Sequence, residues 1–289
     1  MSNTILVPEE WQRLDPATLT GTVMVIGGVD SGKSTFARYL YTRLCEQGRR
    51  AAFLDCDVGQ STLGLPTTMT VALPAPGETA FPPTGERFSF FVGSISPRGH
   101  MLPVVVGAHK LQRQALTRGA EVVVVDTSGM VDRAVGGGAL KLWKIELLEP
   151  STLVAFARGA ELEHILWPWR RHPRVRVVEF PVSRYVNSRS REQRIAYRQG
   201  RWRAYFDQAR VVSFPLTRYV VFELGLMRPG QLLAFQDEEG FVLGLGVLQN
   251  YDSRERVLSV LTPLPDLEEV RSLRFGSWRL DPTSGREWR

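Results

Sequence analysis

The sequence predicts an α/β protein, a parallel β sheet with flanking helices followed by a small antiparallel β domain. Three observations point there. Residues 20–55 read as strand, glycine-rich loop, helix and strand, which is a βαβ unit. A continuously apolar run, Val122-Val-Val-Val125, ends on Asp126 and reads as a central strand of such a sheet. After Arg210 the grammar changes to short β-type runs parted by turn signals such as Arg228-Pro-Gly230 and Asp237-Glu-Glu-Gly240.

In chain order, residues 20–27 form a buried-type strand that runs into the glycine loop. Residues 33–47 form a helix, with Phe36, Leu40 and Leu44 at i, i+4 and i+8 and Gly48 as its stop. Residues 50–55 are the next strand. Residues 62–86, rich in Pro, Gly and Thr, are expected to be an irregular connection. A strand over 87–93, a helix over 101–117 interrupted near Pro103, and a strand over 120–126 follow. The remaining elements are a helix over 138–148, strands over 152–156 and 175–180, and a polar, arginine-rich helix over 188–207. The β runs beyond it cover 211–215, 219–223, 231–236, 241–248 and 257–261. The expected division is a short N-terminal segment (1–20), a phosphate-loop domain that includes the arginine-rich helix (21–210) and a small β domain (211–289).

Of the 289 residues, 43% are apolar and 23% charged, which is ordinary for a soluble globular chain. No apolar run reaches the ~18 residues a membrane span needs. The first ten residues lack the basic-then-apolar form of a signal peptide, and Cys45 and Cys56 are too few for a disulfide framework. A reducing, cytoplasmic setting is the expectation. The charge is more informative. Of 36 basic residues only Lys33, Lys110, Lys141 and Lys144 are lysine, leaving 32 arginines. Residues 158–210 hold 13 arginines against five acids, a local net of +8, whereas the whole chain is +6. Charge concentrated in this way fits one surface that faces a polyanion, with a solvated basic helix as the plainer alternative.

Gly27-Gly-Val-Asp-Ser-Gly-Lys-Ser34 has the full spacing of a P-loop, with a strand before it and a helix after it. The backbone of Gly28, Val29, Asp30, Ser31, Gly32, Lys33, Ser34 and Thr35 can wrap the phosphates of a nucleoside triphosphate at a helix N-terminus. Lys33 reaches the β- and γ-phosphates, and the Ser34 hydroxyl ligates Mg²⁺. Asp55-Cys-Asp-Val-Gly-Gln60 closes the second strand, so Asp55 and Asp57 lie at the edge where ligands of open α/β sheets bind. One can hold a Mg²⁺-bound water and the other accept a proton from an attacking hydroxyl. Asp126, followed by Thr127-Ser-Gly129, competes for the acidic role beside the metal, and the residues leave that assignment open. Arg191, Arg194 and Arg198 fall on one stripe at helical pitch. Such a stripe suits a lid over a transferring phosphate or a contact with a nucleic-acid backbone, and equally a salt-bridged solvated face.

These elements in this order resemble the polynucleotide 5′-hydroxyl kinases of the pre-mRNA cleavage-complex and ribosomal-RNA-processing type. The matching residues are the P-loop, the Asp-x-Asp-x-Gly-Gln motif at 55–60, the Thr-x-Gly clasp at 127–129, and the arginines of 191–198 ahead of Tyr205-Phe206. The likeness spans roughly residues 20–263. It implies a P-loop NTPase fold that uses ATP and Mg²⁺ on a nucleic acid with a 5′-hydroxyl end, RNA more than DNA, and no membrane partner. Under it, Lys33 and Ser34 hold ATP·Mg²⁺, Asp57 is the base for the 5′-hydroxyl, and Asp55 assists at the metal. Thr127 holds the γ-phosphate side, Arg191, Arg194 and Arg198 stabilise charge as phosphoryl leaves ADP, and Gln60 and Met130 face the acceptor strand. Met130 stands where the family usually has Trp, a stacking surface worth ~1–3 kcal/mol per base.

The expected function is therefore ATP-dependent transfer of the γ-phosphate to the 5′-hydroxyl of a polynucleotide. The alternative is a P-loop ATPase or GTPase acting as a nucleotide-bound RNA-processing scaffold without transfer. No Asn-Lys-x-Asp guanine reader occurs in the chain, and a small-molecule kinase leaves the +8 segment unexplained.

Overall fold

The computed structural model describes residues 7–183, 186, 188–223 and 227–289. The strands of the first part are β1 (Gly21–Gly27), β2 (Ala51–Cys56), β3 (Thr68–Ala72), β4 (Arg87–Phe91), β5 (Val122–Thr127), β6 (Thr152–Ala157) and β7 (Arg176–Pro181). Between them run the helices α1 (Lys33–Glu46), α2 (Met101–Thr117), α3 (Gly137–Leu148) and α4 (Glu163–Leu166). Helix α5 (Arg191–Phe206) follows, then β8 (Arg210–Pro215), β9 (Val220–Phe222), β10 (Gln231–Gln236), β11 (Val242–Asp252), β12 (Val257–Thr262), β13 (Ser272–Leu280) and β14 (Glu287–Trp288).

The chain forms two compact units, one of residues 1–57, 69–88 and 97–189, the other of 58–68, 89–96 and 190–289. The first is built on a sheet of order β4-β3-β2-β5-β1-β6-β7. Strands β2, β5, β1, β6 and β7 are parallel, and β3 is antiparallel to β2. Val23, Met24, Val25 and Ile26 of β1 and the four valines of β5 are wholly buried, as strands covered on both faces require. Three features differ from the sequence reading. The connection at 62–86 contains β3, whose Thr68-Met-Thr-Val-Ala72 alternates β-branched side chains beside β2. Helix α2 is unbroken, because Pro103 sits in its first turn, where no intrahelical N–H bond is needed. Helix α4 was not foreseen; it is a single turn after β6.

In the second unit, β8 and β10 to β14 form an antiparallel sheet of order β14-β13-β10-β11-β12-β8, and β9 pairs with β13 in parallel. Strands β13 and β14 lie beyond the last run foreseen. One cluster packs Phe214, Leu233, Phe235, Leu258, Val260 and Phe275. A second joins Trp202 and Phe206 of α5 to Leu232, Ala234, Leu245, Val247 and Leu280. Residues 190–210 therefore group with the β sheet, where the change of pattern at Arg210 had set the boundary after the helix. The apolar stripe of α5 is the cause. Among the described residues no helix is long and apolar enough to cross a membrane.

Candidate active site

The P-loop is the turn between β1 and α1. Gly32, the residue ahead of α1, has φ +87°, a left-handed conformation that glycine adopts without steric cost, and Asp30 takes φ +51°. Lys33 is buried to 6% exposure, and its ammonium donates to the Gly28 carbonyl at 3.4 Å. Two neighbours brace the loop. Arg158, just past β6, donates to the carbonyls of Val29, at 3.2 Å, and of Asp30. The Asp30 carboxylate accepts from the Ser188 hydroxyl at 3.2 Å and the Arg189 N–H at 3.3 Å. Sequence reasoning passed over Arg158; its one signal is a cation at the C-terminal end of a strand adjacent to β1.

The carboxylates meet at the same edge. In the β2–β5 register Asp55 is opposite Asp126, and on the other side of β5 Asp126 is opposite Val25. Asp55 is 1% exposed and accepts from the Asp57 N–H at 3.0 Å. Asp126 is 3% exposed, and the Ser34 hydroxyl bonds to its carboxyl. Burial pushes the Asp126 carboxyl up to about 6 against the pull of Lys33, with Asp55 adding to the rise. On β5, the Asp126 carboxyl meets Ser34.

Among the described residues, Asp126 Oδ1 is buried without a hydrogen-bond partner. A buried carboxylate oxygen beside a serine hydroxyl is a hard-oxygen set of the kind Mg²⁺ takes, with phosphate oxygens and waters completing its shell. The residues present therefore fit the metal. No cluster of three or more His, Cys, Asp or Glu occurs among the described residues.

The Thr127-Ser128-Gly129 turn lies against the P-loop. A Cβ at Gly129 would come within 2.8 Å of the Val29 Cα, so only glycine lets the two backbones approach this closely. The Thr127 hydroxyl donates to the Val25 carbonyl at 2.9 Å, and the Lys141 ammonium donates to the Ser128 carbonyl at 2.6 Å. Met130 follows, half-buried.

The arginine stripe lies in the second unit. Ser190 caps α5 through a capping box with Gln193. Arg191 is exposed, and Arg194 and Arg198 are half-buried. Arg198 is ion-paired with Glu287 of β14, which also accepts from the Trp202 indole at 3.2 Å. The Gln60 amide donates to the Arg194 carbonyl at 3.2 Å, so the last residue of the Asp-x-Asp-x-Gly-Gln motif holds the backbone of the arginine helix. Tyr205 and Phe206 are structural here: the Tyr205 hydroxyl accepts from the Leu245 N–H at 2.7 Å, and Phe206 lies in the core.

The chain matches the family described as the mRNA cleavage and polyadenylation factor CLP1 P-loop over residues 27–208. It is 27% identical to the polyribonucleotide 5′-hydroxyl-kinase of Pyrococcus abyssi, over 93% of this chain and 90% of that protein. It is likewise 27% identical to the polyribonucleotide 5′-hydroxyl-kinase of Methanocaldococcus jannaschii, over 90% and 87%. Among solved structures, a chain of the wild-type Clp1p–Pcf11p complex superposes with a TM-score of 0.67 at 14% identity, over 91% of this chain and 75% of that one, which is a likeness of fold. With the P-loop, the Asp55–Asp126 edge and the clasp turn inside the matched span, the chain belongs to the CLP1 P-loop family.

Proposed function

We propose that this protein is a polynucleotide 5′-hydroxyl kinase that transfers the γ-phosphate of ATP to the 5′-hydroxyl of RNA in preference to DNA. The observation that carries the reading is the packing of Lys33, Ser34, Asp55 and Asp126 at one sheet edge, with Asp57 directly after it. The names of the archaeal relatives support the acceptor class. The concentration of arginine in residues 158–210 supports a polyanionic acceptor.

In this reading the P-loop N–H groups and Lys33 hold the triphosphate, and Ser34 and Asp126 hold Mg²⁺. When bound, Mg²⁺ neutralises charge on the phosphate oxygens. Asp57 takes the proton of the 5′-hydroxyl, the 5′-oxygen forms its bond to the γ-phosphorus, and the bond from that phosphorus to the bridging oxygen breaks, releasing ADP. Asp55 fixes the turn that carries Asp57 through the Asp57 N–H. Arg191, Arg194 and Arg198 are the arginines that the resemblance assigns to charge on the transferring phosphoryl group, and Arg198 is paired with Glu287.

The test is transfer of labelled γ-phosphate to matched RNA and DNA oligonucleotides bearing either 5′-hydroxyl or 5′-phosphate ends. Label is expected on the 5′-hydroxyl RNA first, on DNA more slowly, and on neither 5′-phosphate control. Absence of label with ATP hydrolysis intact rejects the kinase in favour of the ATPase scaffold.

A further inference from the structure

Helix α3 carries two of the four lysines of the chain, Lys141 and Lys144, and both are completely buried. They are three residues apart and share one face of the helix. Both lie within electrostatic reach of Cys56 at the end of β2, and Lys141 also reaches Lys33 and Asp57. Their bonding differs. Lys141 donates to the Ser128 carbonyl at 2.6 Å, whereas the Lys144 ammonium has no hydrogen-bond partner among the described residues.

In a chain where 32 of 36 basic residues are arginine, lysine at an enclosed position calls for a physical reason. Guanidinium is bulky and cannot shed its charge, whereas an amine can lose a proton and still donate an N–H. Burial, with Lys144 and Lys33 alongside, pushes the Lys141 ammonium well below the usual lysine range. The tie to Ser128 survives in either protonation state.

The turn that Lys141 holds is the clasp. Thr127 is anchored to the Val25 carbonyl on β1, and Gly129 touches the P-loop backbone at Val29, so Ser128 is the middle of a three-point mount. We propose that Lys141 is a positioning residue of the phosphoryl-transfer site, its buried side chain setting the distance between the Thr127-Ser128-Gly129 turn and the P-loop. The assignment rests on the kinase reading for its effect on rate, but not for its effect on the turn. Losing the tie leaves the nucleotide bound and the transferring phosphoryl misplaced, a displacement that costs about tenfold or more in rate.

The experiment compares wild type with Lys141→Met, Lys141→Gln and Lys144→Met. It measures kcat and KM for labelled transfer to 5′-hydroxyl RNA, affinity for a fluorescent ATP analogue, and amide hydrogen exchange of the peptide covering residues 126–136. Lys141→Met is expected to lower kcat about tenfold or more, change nucleotide affinity by less than about threefold, and speed exchange of that peptide. Lys141→Gln keeps an N–H donor and recovers part of both losses, and it takes over the test if the methionine variant does not fold. Lys144→Met removes an unpartnered buried amine and is expected to keep kcat and exchange near wild type. Wild-type kcat and exchange in both Lys141 variants, or equal losses in Lys144→Met, overturn the proposal. If wild type transfers no phosphate, the kinase reading has failed, and the exchange measurement alone decides the role of Lys141.

Discussion

The Asp126 carboxyl is held near 6 by a balance of burial and the neighbouring Asp55 against Lys33 and the Ser34 hydroxyl. The sign of its effect on stability follows. The folded protein, free of metal and nucleotide, holds a proton on Asp126 that the unfolded chain releases at its ordinary value near 4. Stability in chelator should therefore fall as pH rises from about 4 to about 6, and Asp126→Asn should remove that share of the slope in urea titrations. An unchanged slope in the variant contradicts the burial account. In the proposed kinase reaction, base chemistry belongs to a different residue. Asp57→Asn keeps shape and loses the proton acceptor, so labelled transfer is expected to drop by about 100-fold or more with ATP affinity preserved; full activity moves that role to Asp55 or Asp126. At this scale the P-loop was legible because its spacing is local. The meeting of Asp126 with Ser34 was not, because it depends on the register of β2, β5 and β1 across about 100 residues of sequence.

Helix α5 divides its work along its length. Trp202 and Phe206 bury against the β sheet, while Arg191 stays exposed. Replacing Trp202 by alanine should cost about 3–5 kcal/mol, read from urea unfolding, since it empties a fully buried aromatic site. A loss below about 1 kcal/mol would show the helix to be loosely attached. If Arg194 has the lid role proposed from the resemblance, Arg194→Ala lowers kcat more than it changes KM for ATP; a pure KM effect counts against the role. The helix was readable from its polar, arginine-rich pattern over 188–207, and the Ser190–Gln193 capping box sets its start at Arg191. The attachment of Arg198 to Glu287 was not, since the partners lie 89 residues apart. Strand β3 escaped notice because a five-residue run of Thr and small apolar residues carries little periodicity among prolines and glycines. Pro103 misled for the opposite reason: its position in the first turn makes it a helix start and not a break.

At the scale of the whole molecule, nucleotide chemistry and the arginine helix belong to different compact units, joined by the chain itself at two informative places. The Asp-x-Asp-x-Gly-Gln motif passes from the first unit to the second between Asp57 and Val58. The segment that bonds Asp30 of the P-loop, Ser188 and Arg189, leads straight into α5. The α/β class and the antiparallel β part were both legible from pattern, whereas the grouping of α5 with the β sheet follows the burial of Trp202 and Phe206, which composition does not reveal. The central claim is that γ-phosphate leaving ATP arrives on a 5′-hydroxyl and not on water. The direct measurement is the ratio of 5′-phosphate formed to ADP released in a reaction with 5′-hydroxyl RNA in excess. A ratio close to one is predicted; ADP accumulating with no 5′-phosphate would contradict the account.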